Sequence, residues 1–108
     1  MSVDRIPSWM LQQAASIEVY EGESGTGPLY TAAKTARCRV EPARRLVIDA
    51  KGNEVAASAR AFLEPDVEVT AESLFTADGV RYTVLDVKRQ INAKGEAHHL
   101  EVMLTSGR

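Results

Sequence analysis

The residues best suited to chemistry are two adjacent histidines and a set of scattered carboxylates. His98 and His99 are the natural candidates for a metal site. Adjacent residues of a strand point to opposite faces, however, so we do not expect these two rings to close on one ion. Carboxylates such as Glu18 and Glu54 occur singly along the chain, without the pairing that general acid–base catalysis uses. The sequence therefore predicts no metal site, no cofactor and no enzymatic activity.

Cys38 is the only cysteine of the chain. It alternates with Arg37 and Arg39, which predicts that its side chain faces the core from a strand. A buried thiol is inert because it lacks access to a substrate and to a general base. A single cysteine also excludes an intramolecular disulfide and is typical of a protein that assembles in a reducing cytoplasm. We predict that Cys38 is buried and structural.

Two further segments have compositions that can bind a ligand. Residues 22–27 are rich in glycine, but no helix with a lysine follows them, so they lack the context of a phosphate-binding loop. Four arginines form a local basic cluster: Arg37, Arg39, Arg44 and Arg45. A positive strand face can bind either DNA or an acidic partner, and nearby carboxylates make intersubunit salt bridges at least as favourable as phosphate contacts. The net charge of -2 disfavours tight nucleic-acid binding.

The elements that must position these residues are β-strands, because apolar and polar residues alternate along most of the chain. With 108 residues, 44% hydrophobic and 26% charged, the sequence fits one globular domain. We predict an N-terminal arm over residues 1–15 and a single all-β domain over 16–108, an antiparallel barrel or sandwich of six or seven strands. No apolar run is long enough for a signal peptide or a membrane span, so we expect no membrane partner.

Two segments are predicted to leave this framework. Residues 22–33 contain three glycines and a proline, which predicts a long loop after the first strand, ordered by a partner. Residues 44–57 predict a long projecting hairpin, whose returning strand is mostly alanine and therefore weakly held by its own packing. The tip of this hairpin consists of Asp49, Ala50, Lys51, Gly52, Asn53 and Glu54. Further along, the apolar alternation shifts phase at Leu85, which predicts a bulge or burial on both faces.

Six segments follow one another along the chain as an ordered set: Ile17-Glu18-Val19-Tyr20-Glu21-Gly22, Gly27-Pro28-Leu29-Tyr30, Arg37-Cys38-Arg39-Val40-Glu41, Arg44-Arg45-Leu46-Val47, Gly52-Asn53-Glu54-Val55 and His99-Leu100-Glu101-Val102. This ordered set resembles the head-to-tail stopper, or head-closure, proteins of siphophages, particularly those of actinobacterial hosts. They extend over nearly the whole chain, from about residue 17 to about residue 104. None of them is a chemical signature with a mechanism of its own.

The resemblance implies a virion protein that assembles in the host cytoplasm and functions as a ring at the head–tail interface. Its partners would be copies of itself, a portal or adaptor ring on the head side, and a tail terminator or tail tube on the tail side. Packaged DNA would pass through the channel without sequence-specific contact, retained by the hairpin of residues 44–57. The candidate subunit interface comprises Gly25, Gly27, Pro28, Leu29, Tyr30, Arg44 and Arg45.

Other functions remain open at this point. A small nucleic-acid-binding barrel is the main alternative, although such barrels need exposed aromatic platforms and six aromatic residues leave few for that purpose. A host-encoded accessory domain of an enzyme is a third. Adaptor and tail-terminator rings are also built from short, strand-rich chains, so the sequence does not decide which ring is formed. It does not decide the number of subunits either.

Overall fold

The computed structural model describes residues 6–106, which form a closed six-stranded antiparallel barrel and a separate two-stranded sheet. The strands are β1 (Gln13–Glu18), β2 (Tyr20–Ser24), β3 (Gly27–Tyr30), β4 (Lys34–Ile48), β5 (Glu54–Leu63), β6 (Leu74–Ala77), β7 (Val80–Ile91) and β8 (Ala97–Ser106). The barrel order is β1-β4-β5-β8-β7-β6, and pairing of β6 with β1 closes it. A single 3-10 turn, Ser8–Met10, is the one helical element in residues 6–106. The predicted all-β class is confirmed.

The barrel interior is filled by alternate residues of each strand, as the period of two requires. Strand β5 contributes Ala59, Ala61 and Leu63 to the interior, and Phe75 and Leu104 are the large side chains that pack there fully buried. The alanines leave room for these larger neighbours, because a small barrel can hold only a limited volume of side chains. The alanine-rich strand β5 therefore forms one side of the barrel core.

The first strand begins earlier than the sequence predicts. Strand β1 starts at Gln13, inside the predicted N-terminal arm, and Ala15 is buried in the barrel. Alanine has weak strand propensity, so pairing with β4 decides this boundary and the local sequence does not. Upstream, Leu11 is fully buried and the Ile6 amide donates a hydrogen bond to the His98 carbonyl at 2.9 Å. Residues 1–5 of the predicted arm lie outside the described residues.

The segment predicted as a long loop, residues 22–33, is for the most part a β-hairpin. Tyr20 pairs with Tyr30 and Ser24 with Gly27, with an irregularity next to Gly22. A hydrogen bond from the Thr31 amide to the Val19 carbonyl connects this hairpin to the end of the β1–β4 pair. The glycines and the proline predicted a break in regular structure. Proline is nevertheless tolerated here, because each strand of a two-stranded sheet is an edge strand with one unpaired side.

The predicted phase change in the penultimate strand is a β-bulge. The register of β7 against β8 shifts between Val84 and Asp86, which places Leu85 at the irregularity. Val84 belongs to the barrel core, whereas Leu85 joins Ala57 and Met103 in a second buried cluster. Both expected consequences, a bulge and burial on two faces, occur at this point. The bulge also creates the apolar platform on which the β4–β5 hairpin rests.

Candidate functional site

The β4–β5 hairpin corresponds to the predicted hairpin of residues 44–57, but it does not stand free of the barrel. Its strands pair up to Ile48 and Glu54, with an irregularity between Pro42 and Arg45. Val47 and Val55 on its inner face pack against the cluster of Ala57, Leu85 and Met103. The sequence predicts weak packing within the hairpin itself, and Leu85 of β7 and Met103 of β8 supply additional apolar contacts that the hairpin's own sequence does not reveal.

The tip of this hairpin is organised by Asp49, whose side chain is only 5% exposed. Its Oδ1 atom accepts hydrogen bonds from the amides of Lys51 and Asn53, both at 2.9 Å. The Asp49 backbone also accepts from the Gly52 amide at 3.1 Å and donates to the Asn53 carbonyl at 2.9 Å. Gly52 has a φ of 84°, a conformation that glycine adopts without strain. The tip is thus a preformed turn with its side chains 50–53 exposed.

The β7–β8 hairpin ends in the same kind of turn, centred on Asn92. Its Oδ1 accepts from the amides of Lys94 and Glu96 at 2.9 and 3.0 Å, and the Asn92 amide donates to the Glu96 carbonyl. Gly95 has a φ of 82°, close to that of its counterpart Gly52. The recurrence of Ala-Lys-Gly after Asp49 and after Asn92 is the sequence signal of this pair, and sequence reasoning missed it.

The outer face of the β4–β5 hairpin differs from its inner face. Leu46 and Ile48 are 64% and 59% exposed, a high value for large aliphatic side chains in a strand. Beyond the tip, the Lys51 Nζ atom lies 4.0 Å from a Glu72 carboxylate oxygen, and the Lys51 side chain is 70% exposed. A contact of this length at an exposed lysine contributes little stability. The hairpin is therefore covered on one face and open on the other.

The second predicted interface segment is the β2–β3 hairpin, which we call the acidic hairpin (residues 20–30). It contains Glu21 and Glu23 and no lysine or arginine. At its base the Tyr20 and Tyr30 rings meet edge to face, 5.9 Å apart. The Tyr20 hydroxyl donates to a Glu23 carboxylate oxygen at 2.6 Å, and this hydrogen bond, with smaller effects of burial and nearby charge, raises the pKa of Tyr20 to about 12. These contacts order the hairpin from within.

The candidate interface residues of the acidic hairpin differ in exposure. Tyr30 at the base and Gly27 beside the turn are partly buried, whereas Gly25 and Pro28 are exposed and Leu29 is 49% exposed. The Tyr20 amide donates to the Ser73 hydroxyl at 3.0 Å, which ties the base to the segment before β6. The distal part of the hairpin therefore presents its side chains to solvent.

The structure divides the predicted basic cluster into two halves. The Arg37 Nε donates to the Leu11 carbonyl at 3.1 Å, and the Arg39 Nε lies 3.3 Å from a Glu41 carboxylate oxygen. Arg44 and Arg45 are exposed and form no ion pair with any residue in the range 6–106. Within residues 6–106, Arg37 and Arg39 therefore have partners in the chain, whereas Arg44 and Arg45 are free of ion pairs.

The two free arginines border an open groove of about 850 Å³, which we call the arginine groove. Its floor is apolar, with Ala43, Leu46 and Ala57 among the lining residues, and the end of β8 closes one side. The remaining lining residues are Pro42, Arg44, Arg45, Ala56, Ser58, Thr105 and Ser106. No residue of the acidic hairpin lines the groove, so the chain's own hairpin does not fill it.

Sequence reasoning missed a charged network on the outer wall of the barrel. The Arg60 guanidinium lies 3.2 Å from a Glu41 oxygen and 3.7 Å from a Glu101 oxygen, and it sits 5.3 Å above the centre of the Phe62 ring. These residues come from three neighbouring strands, β4, β5 and β8. Glu41, expected as an intersubunit partner of the arginine cluster, is therefore engaged within the chain.

The histidine pair has a geometry that the alternation rule excluded. The Nδ1 atoms of His98 and His99 lie 2.8 Å apart, and the two rings meet at 81°. The register of β7 against β8 passes from Gln90↔His99 to Ile91↔Ala97, which leaves His98 as the unpaired residue of a bulge. The expectation that the rings point apart was wrong, because it assumed a regular strand.

Among residues 6–106, the surroundings of the histidine pair hold no third ligand for a metal ion. His99 also stacks on Phe62 at 5.7 Å, and its pKa is lowered by burial and by His98, an effect opposed by Glu101. Across the described part of the chain, no group of three or more histidine, cysteine or acidic side chains converges on one point. The pair is therefore a hydrogen-bonded unit in which one ring donates and the other accepts.

Cys38 lies in the barrel core and is fully buried. Burial, with a smaller effect of Asp78, raises the pKa of the Cys38 thiol to about 11. A thiol in this environment stays protonated at neutral pH.

In residues 6–106, no helix is long and apolar enough to cross a membrane.

Comparison with known proteins supplies one solved structure of interest. The protein xkdH of the phage-like element PBSX from Bacillus subtilis is similar in fold, with a TM-score of 0.55 and 12% sequence identity. The match covers 88% of this chain and 93% of that protein. No protein-family model and no curated protein matches the sequence. At this identity the likeness shows that the two chains share a barrel architecture along almost their whole length.

Proposed function

We propose that this chain is a structural protein of a phage virion that forms a ring in the head-to-tail connector. The observation that carries the proposal is the fold: 88% of this chain superposes on 93% of a protein of a phage-like element. The resemblance of the sequence segments to head-closure proteins supports the same conclusion independently of the fold.

The β4–β5 hairpin is the element that we assign to closing the channel. Its inner face is fixed to the barrel by Leu85 and Met103, which sets the direction in which the tip points. Its outer face exposes Ile48, which offers an apolar contact to the hairpin of an adjacent subunit. The tip, residues 49–54, carries two acids and one lysine, so it obstructs DNA sterically and does not bind phosphate tightly.

Shortening this tip in assembled phage tests the assignment. Replacement of residues 49–54 by a two-residue turn leaves the barrel intact, and filled heads are expected to lose DNA before tails attach. The equivalent shortening of the turn at residues 92–96 is the matched control, because it removes the same kind of turn from the other long hairpin. Heads with the control deletion are expected to retain their genomes.

The outcome also distinguishes one connector ring from another. If heads with the shortened β4–β5 tip keep their genomes and join tails normally, this hairpin does not close the channel. The chain is then better described as an adaptor or terminator ring.

A further inference from the structure

We propose that the acidic hairpin of one copy of this chain binds in the arginine groove of the next copy. The inference rests on the proposed ring and names the two surfaces that would join its subunits. Both surfaces are on the same chain, at separate places on the fold, and the acidic hairpin of a subunit does not line that subunit's own groove. The contact would be repeated from subunit to subunit.

Charge is the first argument. The acidic hairpin contains Glu21 and Glu23 without any basic residue, and Glu21 has no ion-pair partner in the range 6–106. Arg44 and Arg45, at the rim of the groove, are also without ion pairs in the described residues. Complementary charges of this kind guide association and fix the orientation of a complex.

Shape and apolar surface are the second argument. Leu29 on β3 is 49% exposed, and Leu46 in the groove is 64% exposed. The groove has a volume of about 850 Å³, which is enough for several side chains of a two-stranded hairpin. The Tyr20–Tyr30 contact and the Tyr20–Glu23 hydrogen bond order the hairpin in advance, which lowers the entropy lost on binding.

The contact joins two different surfaces, so its repetition from copy to copy generates a closed ring or an open filament, as the proposed ring requires. Each acidic hairpin then meets an arginine groove, and no like charges are brought together.

Cysteine cross-linking of the purified full chain tests the contact even if the free protein associates weakly. One variant carries Leu29→Cys and a second carries Leu46→Cys, while the buried Cys38 remains in both. Mixed under oxidising conditions, the two variants are expected to form mainly the 29–46 heterodimer, identified by mass spectrometry. Either variant alone is expected to cross-link much more slowly.

Charge reversal supplies the control for specificity. Adding Arg44→Glu and Arg45→Glu to the Leu46→Cys variant is expected to slow heterodimer formation by roughly tenfold. Adding Glu21→Arg to the Leu29→Cys partner is expected to restore part of the rate, because the reversed charges again match and the Tyr20–Glu23 hydrogen bond is kept. Increasing salt should slow the original pair for the same electrostatic reason.

Two results would overturn the proposed contact. One is the absence of a 29–46 product above the level of the homodimers, and the other is a rate that does not respond to charge reversal. Both readouts use purified protein, so they are independent of DNA retention in phage heads. If the cross-link fails but heads with the shortened β4–β5 tip lose DNA as expected, this interface is rejected and the proposed connector function is retained.

Discussion

His98 and His99 share a hydrogen bond between their Nδ1 atoms, 2.8 Å apart, at the bulge where β8 begins. Only one proton fits between these atoms, so one Nδ1 donates and the other accepts. The Ile6 amide donates to the His98 carbonyl and the Phe62 ring contacts His99, so a disturbed pair affects both neighbours.

Stability is expected to fall on acidification because of this pair. Burial, then His98, lowers the pKa of His99 below its ordinary value of about 6.5, so the unfolded chain binds more protons than the folded chain as the pH drops below that value. The contribution of the neutral His99 ring to the free energy of unfolding is complete above about pH 6.5 and is lost progressively below it. Urea unfolding at neutral and at mildly acidic pH measures the effect. The His99→Gln variant should show a weaker pH dependence, and an identical dependence would contradict this explanation.

Replacement of Asp49 tests how the β4–β5 tip is held. Asp49→Ala removes an oxygen that accepts two amide hydrogen bonds and is expected to cost about 1–2 kcal/mol of unfolding free energy. Asp49→Asn is the matched control, since Asn92 forms the same turn with an amide oxygen. Amide hydrogen exchange at residues 51 and 53 should accelerate in the alanine variant and change little in the asparagine variant. Equal acceleration in both would show that charge, rather than the accepting oxygen, holds the turn.

Cys38 is expected to be chemically inert and structurally important. The thiol is fully buried with a pKa of about 11, so labelling of the native protein by a thiol reagent should be slow and should accelerate on unfolding. Cys38→Ser places a hydroxyl in the apolar core and is expected to destabilise the fold by about 1–3 kcal/mol. Cys38→Ala keeps the site apolar and serves as a control for lost volume. Rapid labelling of the folded protein would contradict the assignment.

The isolated protein is expected to be monomeric or weakly associated. The exposed surface is mostly polar, and the large exposed apolar side chains are dispersed: Trp9, Leu29, Leu46, Ile48, Val80 and Ile91. A ring that closed before its assembly site was ready would also be counterproductive for ordered assembly. Size-exclusion chromatography with light scattering gives the mass directly. A stable closed ring at low micromolar concentration would be inconsistent with this expectation.

The sequence by itself determined the features that depend on the local period of the backbone. Alternation placed Cys38 in the core, and the phase change at Leu85 located the bulge in β7. The glycine at position 52 marked the tip of the β4–β5 hairpin, because a positive φ is required there. Each of these signals depends only on a few neighbouring residues, so a single strand or turn contains it.

Only the tertiary structure decided the features that depend on a partner strand. The β2–β3 pairing converted a glycine-rich segment into a hairpin, and the platform of Leu85 and Met103 held a β4–β5 hairpin whose own residues bury little. The bulge at His98 turned two adjacent rings toward each other, against the alternation of a regular strand. Register and bulges are set by hydrogen bonds between residues far apart in the chain, and a local pattern contains no information about that pairing.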